Sequence, residues 1–393
     1  MTTSLDDAIH PIEASAVMAL LPTRPRLLAI GEPTHGVDTV LDLRNEVFRH
    51  LVEHEGYRTI TVESSCLMGL VVDDYITSTA GTFDDVMEQG FSHGWGKCPG
   101  NRDLVRWMRE YNDGRPAPEM LHFAGFDGPM EMQSAPSPRD ALTSLHAYLA
   151  EWIDPGRLPV GAEALSRLLG ANERWQNPNA MMDPSQSIGQ SAEALNLRIL
   201  ADDLVSLLDM HVPNLLAVSS WDAVDRARMY GRTAVGLLRY HHAMADASPA
   251  RMERLCGLRD SMMAENLLAL AGRAPTLAHA HNSHLQRQLS SMQLWDGPIE
   301  WWSAGALVSS ELEEEYAFIP TVLGTIRDHG VDVPPSATVE GLLYSVGRDR
   351  FVVDARKLTA DFEPRESEWF GYAPMDPAHV REHAALLFIR DTL

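Results

Sequence analysis

A chain of 393 residues, 45% of them hydrophobic, can bury a large core, and three scattered cysteines are too few for a disulfide framework or a cysteine-rich zinc centre. With 55 acidic against 32 basic residues the formal charge is −23. A surface this acidic repels phosphate backbones and anionic lipid, which argues against nucleic acid and membrane partners and mildly favours cationic or neutral small molecules.

The opening "MTTSLDDAIHPIEA" has neither the basic nor the apolar stretch of a signal peptide, and no apolar run approaches the roughly 20 residues that cross a bilayer. A cytoplasmic location is expected. Residues 3–20 are predicted helical, and 26–30 form a strand whose four apolar residues run into "GEPTHG". Residues 39–55 follow as a helix, with Val40, Leu43, Val47 and Leu51 on one face. "YRTITVESS" predicts a strand near 58–62 and "MLHFAGFDG" another at 120–126. Such alternation implies a parallel sheet with covering helices.

From "SAPSPRD" (134–140) to about residue 273 the pattern is almost wholly helical. One long helix should begin near Ser220 and carry Val224, Ala227, Ala234 and Leu238 on one face. Another should begin at Ser248-Pro249, where serine can cap and proline fits the first turn. "QNPNAMMDPSQS" (176–187) reads as a long exposed loop. Strand signals return at "PTLAHAHN" (275–282), "EYAFIPTV", "DRFVVDA" and "AALLFIRD", the last expected to complete the sheet. The predicted fold is α/β, a central and mainly parallel sheet flanked by helices, in one domain over 1–393. Residues 134–273 are expected to form a helical insertion, a lid over the C-terminal edge of the strands.

Four apolar runs end in residues of catalytic type: Glu32 and His35, Glu63, Asp127, and the cluster His281, Asn282 and His284. Parallel strands have their C-terminal ends on one edge, so these groups can converge. Each also has a structural role open to it: Glu32 and Glu63 as helix caps, Asp127 as a turn residue before Gly128-Pro129. No G-x-S-x-G elbow, P-loop, dinucleotide glycine motif or H-E-x-x-H occurs. Ser64 and Ser65 lack flanking glycines, and Cys66 in its apolar surroundings reads as core. The chemistry expected is direct attack by water, activated by histidine and carboxylate. A metal held by the histidines and a glutamate would be a second route to hydroxide.

"GEPTHG", "LRNEVFRHLVEHEGYRTITVESS", "RDSMMAENLLAL" and "AHNSHL", in that order and at these separations, resemble the erythromycin esterase family. The resemblance implies an α/β core with a helical lid and hydrolysis of a macrolide lactone ester, which the missing nucleophile motifs make a reaction without a covalent intermediate. Two alternatives stand beside it: a biosynthetic hydrolase or lyase acting on a polyketide-type intermediate, and a small-molecule binding protein without turnover. It implies that His35 is the base that activates water, and that Glu32, Glu63 and His281 match the other essential positions. Arg44 matches an arginine of the family site and His284 a second histidine. Asp127, Trp95, His279 and Asn282 are expected to border the substrate, with no cofactor. The alternative is zinc at Glu32, His35, Glu63, His281 and His284. Arg259 and Asp260 are expected to form a structural ion pair within a helix. The chain departs from the family where members commonly carry tryptophan and it has His279. It departs again at "SHGWGKCPGN" (92–101), glycine-rich where members are tryptophan-rich.

Overall fold

The structure is a computed structural model that describes residues 5–78, 81–130, 134–294 and 297–392. In chain order the strands are β1 (Ile9–His10), β2 (Leu27–Glu32), β3 (Thr59–Ser65), β4 (His122–Asp127), β5 (Thr276–His281), β6 (Leu289–Leu294) and β7 (Gly297–Trp302), then β8 (Tyr316–Ile319), β9 (Thr321–Ile326), β10 (Arg350–Asp354) and β11 (Ala385–Thr392). Five of them form an all-parallel sheet in the order β4-β3-β5-β2-β8. Every residue of β2 and of β3 is buried. That explains why Leu27–Ile30 of β2 reads as a continuous apolar run and why β3 carries Ile60 and Val62 between threonines: helices cover both faces of the sheet.

The helix Asp38–His54 buries Val40, Leu43, Val47 and Leu51 as its periodicity requires. The helix Trp221–Met244 starts where predicted, with the Ser220 Oγ accepting the Ala223 N–H, and buries Val224, Ala227, Ala234 and Leu238. Between β4 and β5 the chain is helical, and its helices Arg139–Trp152, Ala162–Leu169, Ala192–Val218 and Trp221–Met244 share a core of their own around Leu145, Leu204 and Leu238. The helix Arg251–Ala271 closes this stretch and leans on β4 and β5. No helix among the described residues is long and apolar enough to cross a membrane.

Several expectations are corrected. Residues 3–20 are not one helix: a 3-10 turn (Leu5–Ala8) leads into β1 and then a short helix, Ala14–Leu20. Pro11 enforces the break, since the residue before proline is driven to extended backbone. The helix expected at Ser248 begins at Arg251, because the Ser248 N–H and hydroxyl both bond Asp246 instead of capping. The 176–187 loop contains two 3-10 turns, Pro178–Met181 and Pro184–Gln186. Arg251 pins it by donating to the carbonyls of Ala180 and Met181.

The last strand does not complete the parallel sheet. β11 lies in a second sheet, β1-β10-β11-β9, antiparallel to β10 and parallel to β9. The switch occurs at Pro320, between β8 and β9, which lacks the N–H needed to continue a ladder. The β6–β7 hairpin was not expected, because its residues are mostly exposed or half-buried, apart from Ser290 and Trp301, and form no long apolar run.

Candidate active site

The C-terminal edge of the parallel sheet gathers the polar residues. In β2 and β5, Glu32 and His281 are direct cross-strand partners. In β3 and β4 the register shifts between Val62 and Ser65, so that Ser65 pairs with Asp127. The irregularity spans Glu63 and Ser64. It needs Gly125: a Cβ there would stand 2.4 Å from the carbonyl oxygens of both Ser64 and Ser65. Glu32, Glu63 and Asp127 are all buried.

His35 lies three residues past β2, in a turn that ends at Gly36 with φ +76°. Its Nδ1 is 2.7 Å from Glu32 Oε1, and its Nε2 is 3.9 Å from Glu63 Oε1. Its ring packs beside those of Trp95 and His281, with centroids 5.0 and 5.3 Å away. Burial disfavours its charged form, but Glu63 and Glu32 outweigh that and raise His35 to about 9. Burial likewise opposes ionisation of Glu32, yet His279 and His35 bring it down to about 2.

His281 behaves oppositely. Burial, with the charge of His35 beside it, lowers it to about 4. Its Nδ1 accepts the Ser283 N–H at 3.2 Å, and a backbone N–H can only donate. The ring proton therefore sits on Nε2, 3.3 Å from the Pro33 carbonyl. His281 is a neutral imidazole and caps the short helix Asn282–Leu285.

Glu63 is the hub. Its Oε2 accepts the His281 N–H at 2.8 Å, and its Oε1 meets Arg259 Nη2 at 3.1 Å and His284 Nε2 at 3.4 Å. Despite burial, His284, His35 and Arg259 hold its carboxyl well below the usual range. His284 is in turn backed by Asp260, Nδ1 to Oδ1 at 2.6 Å, and the two carboxylates raise its proton affinity against the cost of burial. Asp260 also accepts the Trp301 Nε1–H at 2.9 Å and the Ala304 N–H at 3.1 Å.

Arg259 and Asp260 therefore do not pair with each other, contrary to expectation. Arg259 Nε lies 3.2 Å from each Asp127 carboxylate oxygen, and its Nη2 donates to Oδ2 at 2.7 Å. Adjacent helical residues point in different directions, so the two serve different partners. That geometry is legible in the sequence; the partners, 132 and 196 residues away, are not.

Of the remaining expected residues, Arg44, Trp95 and His279 line one recess and Asn282 lies apart from it. Arg44 is fully buried, donates to the amide oxygens of Asn45 and Asn101, and is lowered by burial to about 10. With Glu32, Glu63, Trp95, Cys98 and His279 it lines a recess of about 20 Å³, room for one water. His279 is buried below Glu32, its Nδ1 bonded to the Ile30 carbonyl and its Nε2 3.4 Å from Glu32 Oε2. Asn282 turns away to the Thr321 carbonyl. Ser64 bonds Ser92, Ser65 caps the helix Cys66–Thr77, and the Cys66 Sγ faces Thr233, with burial raising its thiol pKa.

His281 and His284 have both ring nitrogens engaged, and the Arg259 guanidinium touches Glu63. Among the described residues no three His, Cys, Asp or Glu side chains are arranged to hold a metal ion.

A family model described as erythromycin esterase matches residues 52–384, a span that takes in Glu63, Asp127, Arg259, Asp260, His281 and His284. No curated protein sequence matches the chain. Among solved structures, a Bacillus cereus protein aligns with TM-score 0.73 and 16% identity over 99% of this chain and 96% of its own. A succinoglycan biosynthesis protein gives 0.73 and 14% over the same shares. A mutant of the erythromycin esterase EreC in its open conformation gives 0.64 and 17% over 96% of this chain and 93% of that one. These three share the fold.

Proposed function

Because the chain belongs to the erythromycin esterase family, we propose that it hydrolyses an ester or lactone in a neutral or cationic, mostly apolar, macrolide-like small molecule by direct attack of water. The observation that carries this reading is His35, held at Nδ1 by Glu32 at 2.7 Å with Nε2 turned toward Glu63 at 3.9 Å. In the neutral ring the carboxylate keeps the proton on Nδ1 and leaves the Nε2 lone pair to receive one. An oxygen placed off the line from Nε2 to Glu63 Oε1 can hydrogen-bond both atoms.

In the reaction, that water adds to the carbonyl carbon while its proton passes to His35 Nε2. The tetrahedral intermediate then collapses, the carbon–oxygen bond breaks, and His35 returns the proton to the departing alkoxide. His281 is neutral and near 4, so it can offer a hydrogen bond but is a poor proton source. This assigns both proton transfers to His35. Serine or thiol attack is not invoked, because Ser64, Ser65 and Cys66 all have structural partners.

The test is incubation with a macrolide panel in water labelled with heavy oxygen, read by mass spectrometry. Gain of one labelled water in a ring-opened acid supports hydrolysis. A product formed without water would make the chain a lyase on a related scaffold, and tight binding without conversion would make it a binding protein.

A further inference from the structure

We propose that Arg259 is a catalytic residue whose free Nη1 arm receives the carbonyl oxygen of the substrate; this rests on the hydrolytic reading above. A guanidinium carries five N–H donors in a rigid plane. In Arg259 the side-on edge, Nε and Nη2, grips Asp127, and Nη2 also reaches Glu63. Among the described residues Nη1 has no acceptor, and the side chain keeps 28% of its surface exposed. The bland account is a structural clamp joining the helix Arg251–Ala271 to β3 and β4. A clamp accounts for Nε and Nη2 and leaves Nη1 without a purpose.

Planarity decides where Nη1 lies. The end-on edge contains Nη1 and Nη2, and Nη2 touches the same Glu63 Oε1 that His35 Nε2 approaches at 3.9 Å. Nη1 shares that end-on edge, so it lies next to the Glu63 oxygen that a water activated at His35 would also meet. Two carboxylates fix the fork in place, so the donor is oriented before the oxyanion forms, which is the arrangement that lowers such a barrier. No reorganisation is needed at the moment of reaction.

The test compares wild type with Arg259→Lys, whose single ammonium can still answer Asp127 and Glu63 but has no second arm. Two readouts are taken: ester hydrolysis, and calorimetric binding of ethyl methylphosphonate, a small monoanionic mimic of the tetrahedral oxyanion. We expect kcat to fall about 10²–10³-fold with KM changed by only a few-fold, phosphonate affinity to fall at least about tenfold, and the melting temperature to hold. A merely structural residue would move the melting temperature and spare phosphonate affinity. If Arg259→Lys does not fold, the double variant Arg259→Gln with Asp127→Asn removes the charge pair together and allows the same binding comparison. Wild-type kcat, unchanged phosphonate affinity in the variant, or a wild type that ignores the phosphonate overturns the assignment. A wild type that binds the phosphonate through Arg259 but turns over no ester sinks the hydrolytic reading and leaves the oxygen-binding role standing.

Discussion

The imidazole of His284 is held between two buried carboxylates, 2.6 Å from Asp260 at Nδ1 and 3.4 Å from Glu63 at Nε2. Asp260 Oδ2 meanwhile accepts two N–H groups that can only donate, from Trp301 and Ala304. Asn at position 260 could face its carbonyl to His284 or to those two donors, never to both. Asp260→Asn should cost about 3–5 kcal/mol, the usual loss when one partner of a buried ion pair is removed. Chemical denaturation measures this; a loss below about 1 kcal/mol would show the pair to be dispensable.

His35, raised to about 9, fixes the sign of two pH profiles. Acting as base it must be neutral, so kcat/KM should climb with pH and level off above about 9. Its contribution to stability runs the other way: fully present below its unfolded value near 6.5 and lost as pH rises through about 9. His35→Asn should flatten both dependences and cut turnover about 10²–10⁴-fold. A kcat/KM that falls toward pH 9 would make His35 the acid instead.

His281→Asn provides the contrast. Asparagine is a good N-cap, so it can take over the bond to the Ser283 N–H and keep the short helix. The variant should fold as wild type and lose less turnover than His35→Asn. A dead His281 variant beside an active His35 variant would reverse the two roles.

Acid should weaken the fold through its buried neutral histidines. His241, His281 and His383 are each lowered to about 4, burial being the main cause in all three. A histidine with a depressed folded-state value resists protonation, so its stabilisation is lost as pH falls from about 6.5 toward 4. Melting temperature recorded over that window should decline, and His383→Phe should make the decline shallower.

Turnover should be indifferent to chelators and to added zinc, since the ring nitrogens of His281 and His284 are engaged and leave a metal at His35 Nε2 without a second imidazole. Stoichiometric zinc in the purified protein together with loss of activity in chelator would reverse that expectation. Replacing Ser64, Ser65 or Cys66 with alanine should alter stability and leave chemistry alone; a folded variant that loses several orders of magnitude would point to a covalent intermediate.

Much of this was legible in the sequence because it is local. "LLAIGEPTHG" states a buried strand, a sharp exit and a histidine three residues past its carboxylate, and His35 does meet Glu32 there. The parallel order followed from alternation, and with it the shared edge. What the sequence concealed is held by distant partners. Arg259 reaches Asp127 and Glu63 only because a helix between β4 and β5 returns across the sheet. For His279 the sequence does not show its neighbours: from inside β5 its ring meets Glu32 and lines the recess with Arg44 and Trp95. The second sheet hides for another reason: Pro320 interrupts a continuous apolar run, and a single proline looks like a kink, not a change of sheet.

The strand order has a consequence for synthesis. β5 lies between β3 and β2, but it leaves the ribosome about 210 residues after β3 ends. Throughout that interval β2 and β3 both present an unpaired inner edge, open to pairing with each other or with a neighbouring chain. The helices made in the meantime have their own core and can settle first. The nascent protein is therefore most vulnerable to aggregation just before "TLAHAH" emerges, and a ribosome stalled there should yield the species that most needs a chaperone.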